Sequence, residues 1–144
     1  MQKLFIPSLG TELKLAQDWY FMLHDEHRNA TLVELLTAEG LLGPRKLANE
    51  EDAGEPWAEY CFDARLPAGA TLKLDRIYIR KNQGDFDSVT FHLKGAKVPS
   101  RTEVRKGVAI GAGGREEFSY ERKIPSRGVR FWVRLDDANN IHFE

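Results

Sequence analysis

Apolar and polar residues alternate with period 2 in one short run after another along this chain, and that pattern limits its folds more than any other feature. In a strand, successive side chains point to opposite faces. Trp19, Phe21 and Leu23 share a face that Tyr20, Met22 and His24 do not. Tyr60, Phe62, Ala64 and Leu66 alternate with Glu59, Cys61, Asp63 and Arg65, and Val89, Phe91 and Leu93 with Ser88, Thr90, His92 and Lys94. Phe118 and Tyr120 alternate with Glu117, Ser119 and Glu121, and residues 129–135 repeat the pattern. Leu13 and Leu15 open the series, and Ile141 and Phe143 close it. Short alternating runs punctuated by Gly, Pro, Asn and Asp predict an all-β chain, an antiparallel β-sandwich or partly open β-barrel of roughly 8–10 strands. A 3.6-residue period is nearly absent, so at most one or two short helices are expected. The best helical candidate is residues 31–42, with Leu32, Val33, Leu35, Leu36 and Leu41. A strand over residues 30–36 is favoured there, with a short helix ended by Gly40 and Gly43 as the alternative.

One strand breaks its own phase. Leu72 and Leu74 are even-numbered, whereas Ile77 and Ile79 are odd-numbered. One straight strand cannot bury both pairs on one face, so a bulge, bend or sheet switch is expected within residues 74–77. Residues 82–87, including Phe86, read as a hairpin loop. Residues 43–56 and 107–116, rich in glycine, proline and charge, read as surface loops. Strands of one style lie on both sides of each, so residues 1–144 are read as a single domain.

At 144 residues the chain can bury a core without staples. No apolar run approaches the ~18 residues a membrane helix requires, and the first seven residues do not read as a signal peptide. The single cysteine, Cys61, rules out an internal disulfide and favours a reducing, cytoplasmic setting. The net charge of −1 hides a split. Residues 1–63 hold 5 Lys/Arg against 12 Asp/Glu, or −7, and residues 64–144 hold 16 against 10, or +6. With no basic or acidic tail, charge alone names no nucleic-acid partner.

Catalytic chemistry finds little footing. His24-Asp25-Glu26-His27 gathers four potential metal ligands, but in an extended strand His24 and His27 point to opposite faces, and a metal needs converging ligands. A solvated turn is the plainer reading. Gly111-Ala112-Gly113-Gly114 lacks the Lys-Ser/Thr of a phosphate loop and is read as a flexible hairpin loop. Cys61 lies between Glu59 and Asp63 on one strand face, which favours the thiol over the thiolate. No Gly-x-Ser-x-Gly elbow occurs. No catalytic residue, metal site or cofactor is assigned.

Two ledges remain. Arg76, Tyr78 and Arg80 face away from Ile77 and Ile79, and Arg130, Trp132 and Arg134 face away from Phe131 and Val133. If the aliphatic and Phe sets are core, these six residues form an outward surface. Trp, Tyr and Arg dominate binding hot spots. The same composition serves base stacking beside a basic groove. Packing of Trp132 against a second sheet is the bland alternative.

Residues 66–80, with Leu66-Pro67-Ala68-Gly69 leading into Leu72-Lys73-Leu74-Asp75-Arg76-Ile77-Tyr78-Ile79-Arg80, and the following Phe86-Asp87-Ser88-Val89-Thr90-Phe91, resemble small β-rich proteins of unknown function encoded by phages, plasmids and other mobile elements. The resemblance implies a small accessory protein that binds or blocks a host protein. It carries no catalytic signature. The function expected is therefore a non-enzymatic interaction protein with a protein partner, one concrete form being a mobile-element-encoded inhibitor of a host defence or nucleic-acid-processing system. A nucleic-acid-binding β module using the same six residues is the second reading. A small-ligand or carbohydrate-binding sandwich with Trp19, Trp57 or Trp132 as platform is the third.

Overall fold

A computed structural model describes residues 8–79 and 87–144. It is mostly β, with antiparallel sheets. The strands are β1 (Glu12–Lys14), β2 (Trp19–His24), β3 (Lys46–Leu47), β4 (Tyr60–Leu66), β5 (Thr71–Tyr78), β6 (Ser88–Val98), β7 (Arg101–Gly111), β8 (Gly114–Ile124) and β9 (Arg127–Arg134). Two helices join them, α1 (Ala30–Glu39) and the single-turn α2 (Leu135–Ala138). A four-stranded sheet has the order β1-β5-β6-β9, a three-stranded sheet β2-β4-β3, and β7 and β8 form a separate two-stranded ribbon.

One core serves the two larger sheets. The apolar face of β2 (Trp19, Phe21, Leu23) meets the inner faces of β5, β6 and β9, namely Leu72, Leu74, Val89, Phe91, Phe131 and Val133. Trp19 stacks on Phe21 at 4.1 Å and meets Phe91 edge-on at 6.1 Å, while Phe21 stacks on Phe131 at 5.8 Å. Burying a ring of this kind contributes roughly 1.5–3 kcal/mol. Trp19, expected as a candidate sugar platform, is thus a core residue, and its indole N–H donates to the Asp137 carbonyl at 3.0 Å.

The bulge in β5 falls within the expected residues. Pairing with β6 runs Leu74↔Phe91 and then Arg76↔Thr90, so Asp75 is the extra residue. The insertion returns Ile77 to the inner face, where it packs on the core. Ile79 stays half exposed and is not part of it. The loop expected at residues 82–87 lies almost wholly outside the described residues, but the strands on either side do pair antiparallel.

Two expectations need correction. Residues 30–36 are helix, not strand: Leu32 and Leu36, one turn apart, are both fully buried. Gly40 stops α1 at φ 69°, and the Leu41 N–H reaches back to the Leu36 carbonyl at 2.9 Å. Residues 107–116 are not a loop. Strand pairing in the ribbon continues to Gly111↔Gly114, leaving only Ala112-Gly113 as the turn. Within residues 43–56, β3 and a 3₁₀ turn at Glu50–Asp52 add local order.

The free edge of β9 is closed by side chains at the start of α1. The Asn29 side chain accepts from the Trp132 N–H at 2.8 Å and donates to the His24 carbonyl at 3.0 Å. The Thr31 hydroxyl both accepts from the Arg130 N–H and donates to the Arg130 carbonyl, each at 3.1 Å. An exposed edge is a template for unwanted pairing, and these contacts occupy it.

Candidate functional site

The register of the four-stranded sheet puts both ledges on the same face, with β6 between them. Tyr78, Ser88 and Arg134 form one row across β5, β6 and β9, Arg76, Thr90 and Trp132 the next, and Arg130 pairs with His92 in a third. Four of the six expected residues, Arg76, Tyr78, Arg130 and Trp132, line one cleft of about 650 Å³. Arg134 lies on the same face but is not part of the cleft wall, and Arg80 falls outside the described residues. The opposite wall comes from the other sheet and its connections: His24, Asp25, Glu26, Arg28, Arg45 and residues 58–60. None of that wall was visible as a site in the sequence. Its one sequence signal is the cluster His24-Asp25-Glu26-His27, which reads as a metal cluster or a solvated turn.

Trp132 is not an outward ledge. It is 7% exposed. Its indole stacks on the buried His24 ring at 4.8 Å, and its N–H donates to the Glu26 carboxylate. Arg28 lies over the ring at 5.6 Å. The covering segment is more than a hundred residues away in sequence, so alternation alone could not reveal it. Tyr78, in contrast, is 45% exposed and offers an aromatic surface at the cleft mouth. On the far wall Arg45 sits 3.7 Å over the Tyr60 ring, a close cation–π contact.

The electrostatics of the cleft are nearly balanced. Arg28 pairs with Glu26 at 2.9 Å, Arg45 with Asp25 at 2.7 Å, and Arg130 with Asp75, the bulged residue of β5. Arg76 and Glu59 complete the lining, so four arginines and three carboxylates face the cleft, and Asp75, which is not part of its wall, offsets Arg130. Burial, and then the nearby Arg134, push the His24 pKa down, which keeps the imidazole neutral against Trp132. For Glu26, burial works against the charge, but hydrogen bonds from Arg28 and Trp132 outweigh it and hold the carboxyl below its usual range.

Cys61 is buried, and desolvation raises its pKa, with Lys46 working in the opposite sense, so it is an inert thiol in a strand. Among the described residues, no three His, Cys, Asp or Glu side chains converge as a metal site would require. His24 instead faces Trp132, and His27 lies in the 3₁₀ turn at His27–Asn29. Of the tryptophans proposed as a sugar platform only Trp57 is exposed, and it lies outside the cleft lining. No described helix is long and apolar enough to cross a membrane.

Comparisons with protein-family models, with curated proteins and with solved structures find no match to this chain. The cleft's own chemistry is therefore what speaks to function.

Proposed function

We propose that the chain is a non-enzymatic interaction protein that binds a protein partner through the cleft between its two sheets. The observation that carries this reading is the convergence of Arg28, Arg45, Arg76 and Arg130 with Tyr60, Tyr78 and Trp132 in one recess. These are the residue types that dominate protein hot spots, and the recess is of a size to accept an inserted side chain or loop. Charge balance favours a protein over nucleic acid. A phosphate-binding surface carries a net positive footprint, whereas here Asp25, Glu26 and Asp75 each neutralise an arginine. The resemblance of residues 66–80 and 86–91 to mobile-element proteins points to a host partner that is occupied rather than modified.

The test is a pull-down with the tagged chain beside an Arg76→Glu, Tyr78→Ala double variant, with and without nuclease. Both side chains are exposed, so the variant keeps its fold. A hot-spot aromatic is worth ~2 kcal/mol or more, so binding falls about 30-fold or more. Capture that survives nuclease and disappears in the double variant is the expected result. Capture abolished by nuclease favours the nucleic-acid reading, and capture that the variant leaves intact removes the cleft from the contact surface.

A further inference from the structure

The β7–β8 ribbon is set apart from the rest of the molecule by its ends. β6 and β9 pair through Val98↔Arg127, and the ribbon begins at Arg101↔Ile124. Between these pairs stand Pro99-Ser100 on one strand and Pro125-Ser126 on the other. A proline cannot donate to a ladder, so the two opposed Pro-Ser steps interrupt what would otherwise be one long hairpin. Glu34 of α1 ties down the base by pairing with both Arg101 and Arg127. Beyond that point the ribbon has solvent on both faces. Val104 is 70% exposed, Val108 46% and Ile110 86%. A two-stranded ribbon of this kind is marginal on its own.

Its two outer edges differ. β8 carries six charges in its eleven residues: Arg115, Glu116, Glu117, Glu121, Arg122 and Lys123. Charges along an edge discourage further pairing. In β7 every charge lies at or before Lys106, and Gly107-Val108-Ala109-Ile110-Gly111 has none. The distal half of β7 is therefore an unguarded edge. It is also self-complementary. In an antiparallel pairing centred on Ala109, Val108 meets Ile110 of the second chain, Gly107 meets Gly111, and Arg105 and Lys106 come opposite the uncharged tip. No like charges face each other across that pair, and branched residues meet branched residues.

We propose that the distal half of β7 is a self-association edge, pairing antiparallel about a two-fold axis with the same segment of a second copy of this chain. The pairing makes a four-stranded sheet β8-β7-β7-β8 and merges the two aliphatic stripes across the axis. It is isologous, so it closes at a dimer. This surface is separate from the cleft, and its test needs no partner.

The test uses the full chain in sedimentation velocity over a concentration series, with Ile110→Lys as the variant. The wild type is expected to dimerise. Ile110→Lys is expected to raise the dimer dissociation constant roughly tenfold or more, since each dimer carries the change twice. Ile110 is solvent-exposed, so the thermal melt of the variant is expected to match the wild type. Crosslinking supplies a second reading. The only native cysteine is buried, so a cysteine introduced at Ala109 reports alone. Ala109→Cys is expected to form an intermolecular disulfide on mild oxidation, and Glu117→Cys on β8 is not. A wild type that stays monomeric, a dimer indifferent to Ile110→Lys, or equal crosslinking at both positions overturns the proposal.

Discussion

β9 and β8 are both regular antiparallel strands with alternating sequences, yet one is core and the other is solvent-exposed. In β9, Val129, Phe131 and Val133 are fully buried against the opposite sheet, and Trp132 on the other face is covered by His24 and the turn that follows it. In β8, Phe118 and Tyr120 alternate just as regularly, and both remain nearly half exposed. Phe118 lies across Gly107 of β7, where even a methyl group would collide with its ring, and Tyr120 is its neighbour at 5.9 Å. Alternation specifies a strand. Burial is decided by whether another layer lies over it, and the Pro-Ser pair at the ribbon base carries β7 and β8 beyond the reach of one.

This contrast predicts where substitutions will be felt. Trp132→Ala has the largest expected effect, a loss of ~3–5 kcal/mol, because it opens a cavity beneath His24 and frees the Glu26 carboxylate. Chemical denaturation of the variant checks it. A loss below ~1 kcal/mol would move Trp132 from the packed part of the molecule to its surface. Asn29→Ala follows, at about 2 kcal/mol. It removes the acceptor for the buried Trp132 backbone N–H and the donor to the His24 carbonyl, and so reopens the edge of β9.

A smaller effect depends on pH. The folded state depresses the His24 pKa below the ordinary 6.5, so between those two values it binds fewer protons than the unfolded chain. His24 therefore contributes its full share of stability above about pH 6.5, and loses it as the pH falls through that value toward the folded pKa. Glu26, with its pKa lowered, acts in a separate window below its ordinary 4.5. Melting temperatures between pH 7.5 and 5 are expected to fall with acidification, and His24→Gln is expected to flatten the slope. An unchanged slope would place the titrating group elsewhere. The smallest effect belongs to the ribbon. Val104→Ser is expected to change stability by no more than ~0.5 kcal/mol, because the side chain is already in water.

The packed half of the molecule was legible in the sequence because its strands bury one face and show it by alternation. β2, β6 and β9 follow from Trp19, Phe21, Phe91 and Phe131, β4 from Ala64 and Leu66, and the bulge at Asp75 from the phase change between Leu74 and Ile77. α1 was read as a strand because Leu32, Val33, Leu35 and Leu36 form a dense apolar run whose local period is ambiguous. The buried Leu32/Leu36 pair and the left-handed Gly40 resolve it. β7 was missed because Gly107 and Gly111 imitate a loop, and their role as bare positions in a ribbon shows only when β8 lies beside them. One wall of the cleft was readable as the two Arg-aromatic-Arg strands. The other, from residues 24–28, 45 and 58–60, depends on a long-range approach that no local pattern encodes.

The contrast between β9 and β8 makes the two-sheet body one cooperative unit and the ribbon an appendage to it. The most direct test of that claim is a thermal melt of a variant in which residues 99–126 are replaced by an Asn-Gly turn joining Val98 to Arg127, a pair already in register. The account predicts a cooperative melt within a few degrees of the wild type, corresponding to about 1 kcal/mol or less for a domain of this size. A variant that fails to fold, or melts broadly and far lower, would show that the ribbon is part of what holds the body together, and would contradict the claim.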